Sequence, residues 1–114
     1  MKRRAVVPEE APAGAVQDLA QVLAKLSDPG EVESFLRDLC TPAELEALAD
    51  RWRVVPLLIE GIPYREIHDR TAVSVTTVGR IARFLHEGYG GYAAALETIG
   101  INTDGIVERT NKDI

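Results

Sequence analysis

The sequence predicts an all-α protein, and three observations carry that expectation. Apolar residues recur at spacings of three and four over residues 15–26, 32–39 and 45–59. Gly, Pro and helix-capping residues fall between these runs, and the strict alternation of a half-buried strand is absent. Ala, Leu, Val and Ile are plentiful, whereas the chain has only two Phe, three Tyr and one Trp, which suits packed helices. At 114 residues, 46% hydrophobic and 27% charged, it has the size of one globular domain whose core dimerisation would enlarge.

Each element has its own reason. Residues 1–14 mix Ala, Val, Pro and charges without periodicity and read as a flexible arm. Val16, Leu19, Ala20, Leu23 and Leu26 mark one face of a first helix, which stops at Ser27-Asp28-Pro29-Gly30. Asp28 is placed to cap a second helix, with Pro29 at its first position, where a missing N–H costs nothing. Val32, Phe35, Leu36 and Leu39 form its apolar stripe. Thr41-Pro42-Ala43-Glu44 has capping-box spacing and opens a third helix carrying Leu45, Leu48, Ala49, Trp52, Val55 and Ile59 on one side. Pro56 is expected to kink or break that helix, and Gly61 to stop it. Helices over 64–70 and 74–87 follow, joined by Thr71-Ala72-Val73, and the glycine-rich stretch 88–91 precedes a short last helix over 92–99. The helical domain is thus expected over 15–100, with a polar tail over 101–114.

Charge and composition narrow the function. The net charge is −5, yet residues 51–86 hold six Arg and no Lys against three acidic residues, while both flanks are acidic. Arginine can bridge a phosphate or a guanine with two parallel donors, which lysine cannot. No apolar run approaches the roughly 18 residues of a membrane helix, and the basic start MKRRAVVPEE lacks the apolar stretch of a signal peptide. A single Cys40 excludes an internal disulfide and gives no metal-site spacing with His68 or His86, so a cytoplasmic, metal-free protein is expected. Both histidines read as surface residues, Trp52 as a core residue and Cys40 as a small buried hydrophobe. The 88–91 stretch lacks the strand and the Lys-Ser/Thr of a phosphate loop. No enzyme constellation emerges.

The one motif with a mechanism spans residues 64–87. Two helices meeting at a tight turn need small or apolar residues at the corner. Ile67 and Thr71 lie one turn apart, Ala72 fits the corner, Val73 can plug the gap, and Val78 and Ile81 face inward. This is a helix-turn-helix pattern, with Ser74 as the N-cap of its second helix. Thr76, Thr77 and Arg80 then point outward at the end from which a recognition helix reads base edges. Arg65, Arg70 and Arg83 suit phosphate contacts, which give affinity and register, and the helix dipole at Ser74 adds favourable potential. The expected partner is double-stranded DNA. His68 stands where such motifs commonly have Ala, and Ala72 where Gly is commoner.

The strings Thr41-Pro-Ala-Glu-Leu-Glu-Ala-Leu-Ala-Asp-Arg-Trp-Arg-Val-Val, Leu57-Leu-Ile-Glu-Gly, Arg65-Glu-Ile and Thr77-Val-Gly-Arg80 resemble the Trp repressor family over about residues 35–100. The likeness extends to its small TrpR-like members of the YerC/YecD type, which share the YGGY stretch. The resemblance implies an intertwined helical homodimer that places two reading heads in successive major grooves, acting as a transcriptional repressor. It also implies a corepressor pocket, matched here by Thr41, Arg51 and Arg80. Where the family has Gly and Ser beside the indole, this chain has Ile81 and Phe84. These would fill the cavity, so no cofactor is expected and tryptophan is not expected to bind; no other effector is indicated. Two rival readings fit parts of the chain. One is a sigma-factor-like DNA-reading domain, and the other is a helical adaptor that binds a protein rather than DNA.

Overall fold

The computed structural model describes Glu9 and residues 13–103. Among these residues there are six helices and no strand: α1 (Ala15–Lys25), α2 (Pro29–Leu39), α3 (Pro42–Ile59), α4 (Tyr64–Thr71), α5 (Val75–Glu87) and α6 (Gly91–Thr98). The expected arm over 1–14 and tail over 101–114 lie largely outside the described residues. The chain divides after Thr41 into two compact units.

The first unit holds α1 and α2. Leu26 leaves helical geometry and ends α1, and the Asp28 carboxylate accepts from the Glu31 N–H at 3.1 Å to start α2 behind Pro29. An exposed Glu33–Arg37 pair at 2.8 Å lies one turn apart on α2, a geometry worth only a few tenths of a kcal/mol. Neither helix buries a residue. Val16 is 81% exposed, Leu19, Val22 and Leu39 are exposed as well, and Cys40 is half-buried rather than buried.

The second unit has a core. Val54, Val55 and Leu58 of α3 pack with Ile67 of α4, Val78, Ile81, Ala82 and Leu85 of α5, and Leu96 of α6. Helices α3, α4 and α5 all contact one another, and α6 rests on α5. Pro56 does not end α3, which continues to Ile59. Proline removes one N–H from the helical ladder, whereas burying Val55 and Leu58 on either side of it returns more than one hydrogen bond is worth. The apolar side of α3 expected from the sequence is divided: Val55 is in the core, while Leu48 and Trp52 are exposed, Trp52 at 39%. Trp52 is therefore a surface residue and not a core one. Residues 54–59 are apolar all round, so periodicity does not single out Val54 and Leu58 as the buried ones.

Gly61 closes α3 in the left-handed region at φ 82°. Its N–H reaches the Leu58 carbonyl at 3.0 Å, and the Ile62 N–H reaches Leu57 at 3.1 Å. This Schellman arrangement satisfies the last carbonyls and turns the chain into α4.

Candidate nucleic-acid interface

The corner between α4 and α5 is tied by side chains as well as by backbone. Thr71, buried, donates its hydroxyl to the Ile67 carbonyl at 2.7 Å and accepts from the Val73 N–H at 3.1 Å. Ala72 adopts the left-handed conformation, φ 66°, and its N–H closes α4 on the His68 carbonyl at 2.8 Å. That backbone explains why glycine is the commoner residue at such a corner. His68 Nδ1 lies 2.8 Å from the Val73 carbonyl. A carbonyl only accepts, so Nδ1 carries the proton and the ring clasps the turn. Arg53, on α3, donates from Nη2 to the Arg70 carbonyl at 3.2 Å, capping the end of α4.

This bonding fixes the start of α5. Ser74 accepts from the Thr77 N–H at 3.1 Å, and its own hydroxyl lies 3.0 Å from Thr77 Oγ1. Thr77 is consequently half-buried and engaged with the cap, whereas Ser74, Val75, Thr76 and Arg80 are exposed. No acidic residue occupies the first turn of α5, so the partial positive charge of the helix terminus is not offset there. Below it, Val78 and Ile81 are almost wholly buried, which sets the rotation of α5 on the core and hence which residues face out.

The arginines are not equivalent. Arg65 and Arg70 lie exposed on α4, where Arg70 pairs loosely with Glu66 at 3.5 Å. Arg80 and Arg83 lie exposed on α5 and share an aromatic neighbour: their guanidinium carbons stand 5.1 and 5.5 Å from the Phe84 ring centroid. Arg53 of the same arginine-rich block serves the end of α4 instead. The residues expected to mark a corepressor pocket have contrasting settings. Thr41 and Arg51 are exposed, Ile81 is part of the core, and Phe84 is half-buried beside Arg80.

Sequence reasoning did not find the Arg53 cap or the His68 clasp. The first joins residues 17 apart and leaves no local pattern. The second could be suspected only from a polar ring at a position that usually holds a small residue. An apolar groove of about 520 Å³ was also not anticipated; Trp52, Phe84, Gly88, Tyr89, Gly91, Tyr92 and Ala95 line it. Among the described residues no group of His, Cys, Asp and Glu is placed to hold a metal ion, and no helix is long and apolar enough to cross a membrane.

The family model described as Trp repressor protein matches residues 15–99. A relative from Bacillus subtilis (strain 168), which bears the name Uncharacterized protein YerC, is 34% identical over 84 residues, or 74% of this chain and 81% of the relative. No solved structure matches the chain. The matched span runs from the first residue of α1 to just past the end of α6, and with all six helices inside it the chain belongs to the Trp repressor protein family.

Proposed function

We propose that the protein is a sequence-specific DNA-binding transcriptional regulator, a repressor, that acts in the cytoplasm as a homodimer. The α4–α5 helix-turn-helix enters the major groove with the start of α5. The observation that carries this reading is a rigid corner presenting Thr76 and Arg80 at a helix N-terminus free of acidic residues in its first turn. In this reading Arg80 addresses a guanine edge, Thr76 contacts base or phosphate, and Ser74 and Thr77 hold the helix start, whose partial positive charge favours a phosphate. Arg65, Arg70 and Arg83 contact phosphates and set the register. Glu66 leaves Arg70 free for this, because an exposed pair at 3.5 Å is easily exchanged.

Dimerisation is supported by what remains uncovered among the described residues. Val16, Leu19, Val22 and Leu39 in the first unit, and Leu48 and Trp52 in the second, are exposed large apolar residues. A second copy that covers them removes an aggregation hazard and presents two reading heads with twofold symmetry. Tryptophan has no role in this proposal. Ile81 belongs to the core and Phe84 already stands beside Arg80, so the residues matched to the corepressor pocket bring apolar bulk where an indole would need room. Calorimetry is expected to show no tryptophan binding in the micromolar range.

Selection from random duplex DNA, followed by sizing of the complex, tests the proposal. The expected result is a palindromic site held by a dimer, with affinity that falls steeply as salt rises because phosphate contacts release counterions. Arg80→Ala should abolish the site preference with helicity unchanged, and replacing Arg65 should weaken all sequences alike. Enrichment of no sequence at low salt by a folded dimer would reject DNA reading and leave a helical adaptor for a protein partner.

A further inference from the structure

Phe84 follows Arg80 by one helical turn and Arg83 by one residue, and both guanidinium groups lie within about 6 Å of its ring, the range of a cation–π attraction. Two like charges three residues apart on a helix repel each other. A ring with both cations within reach of its π system offsets part of that repulsion. The ring packs closely on the chain that follows α5. It is half-buried, and at Gly88 an added Cβ would come within 3.2 Å of Phe84 Cδ1, 3.3 Å of its Cβ and 2.7 Å of its carbonyl oxygen. The chain thus keeps the one residue type at 88 that lets the ring and the helix end pack this closely.

We infer that Phe84 is a positioning residue whose ring holds Arg80 and Arg83 in readiness for DNA, and this rests on the DNA-reading proposal above. A long side chain loses its rotamer freedom when it binds, and one already restricted loses less. Phe84 touches no base or phosphate in this scheme and acts only through the two arginines. Leucine would keep most of the apolar volume and lose the π face, whereas tyrosine would keep both.

The test uses the full-length protein and the palindromic duplex recovered from random DNA. Affinity is measured by fluorescence anisotropy for wild type, Phe84→Leu and Phe84→Tyr, beside NMR relaxation of the Arg80 and Arg83 Nε–H groups in the free protein. Phe84→Leu is expected to weaken binding on the order of tenfold, the ordering cost of two long side chains that are no longer restricted beforehand. Its arginine Nε–H groups should become more mobile at unchanged helicity and thermal midpoint, and Phe84→Tyr should restore both properties. In an Arg80→Ala, Arg83→Ala background, Phe84→Leu should cause no further loss, because there is nothing left to position. Equal or tighter binding by Phe84→Leu, or unchanged arginine mobility, would overturn the inference while wild-type binding keeps the DNA reading intact. If Phe84→Leu loses helicity, the wild-type relaxation data decide: Arg80 and Arg83 Nε–H groups as mobile as that of exposed Arg65 overturn the inference, and clearly lower mobility supports it. Failure of the wild type to bind any duplex overturns the DNA reading and the inference together.

Discussion

Helices α1 and α5 carry apolar stripes of the same kind, and they meet opposite fates. In α5, Val78, Ile81, Ala82 and Leu85 are all buried beneath α3 and α4. In α1, Val16, Leu19 and Val22 are exposed and no residue is buried. An amphipathic pattern states that a face requires cover, but not whether the cover comes from the same chain. The second unit answers that requirement for α5 internally, around nine buried apolar residues among those described, while Leu48 and Trp52 of α3 stay exposed. The first unit leaves it open, and the homodimer proposed above is what would answer it.

The largest effect is expected from reversing the chemistry of the uncovered stripe. Leu19→Glu combined with Val22→Glu keeps good helix formers on α1 and places charges where a second copy is proposed to pack. Sedimentation equilibrium should show the dimer replaced by monomer, and the thermal midpoint should cease to depend on protein concentration. Affinity for a palindromic duplex should fall on the order of a hundredfold, as the two reading heads lose their linkage. A double variant that still sediments as a wild-type dimer would show that α1 is not part of the interface.

A smaller but sharper contrast comes from truncating one residue in each unit. Ile67→Ala empties a fully buried site on α4 and should lower unfolding stability by about 3 kcal/mol in urea titration. Val16→Ala, at the most exposed valine of α1, trims a side chain that only the proposed second copy would cover, so it should cost less, about 1 kcal/mol. Similar losses at the two positions would mean that α1 is as well covered in solution as α4, with Val16 at the centre of the cover.

How much of this could be read in advance depended on whether the signal was local. Caps and stops are local. Asp28, Pro29, Gly61 and Ser74 mark helix ends in the sequence and do so in the structure. The corner was legible for the same reason, since Ile67, Thr71, Val73 and Val78 lie within twelve residues and their spacing alone brings them together. Burial was less legible where a segment is apolar on every side. In residues 54–59 the choice of Val54 and Leu58, with Trp52 before them left exposed, is made by contact with α4 and α5, which no local pattern in α3 records. The candidate site divides in the same way. Thr76 and Arg80 are placed by helical periodicity from Ser74, whereas the Arg53 cap on α4 depends on how two helices dock. Phe84 was noticed as bulk; its spacing of four from Arg80, readable as a helix-surface pair, was the missed sign of its ring contact.

The smallest effect concerns the corner itself. Ala72 stands at φ 66° and is exposed, so its methyl group incurs the left-handed penalty with little packing in return. For an L-residue that penalty is about 1–2 kcal/mol, and glycine avoids it while adding roughly 0.4–1 kcal/mol of unfolded-state entropy. Ala72→Gly should therefore stabilise the protein by about 0.5–1 kcal/mol and raise the thermal midpoint by a few degrees. The contacts that shape the turn come from Thr71, His68 and the backbone, so duplex affinity should stay within about twofold of wild type. The gain arises wholly within the second unit. It should raise the midpoint at every protein concentration by a similar amount and leave the concentration dependence in place, because that dependence belongs to the exposed apolar residues of α1, α2 and α3 and not to the corner. A variant that instead lowered the midpoint would show that the Ala72 methyl group packs against something the single chain does not supply, and the α4–α5 corner would then share the open requirement of α1.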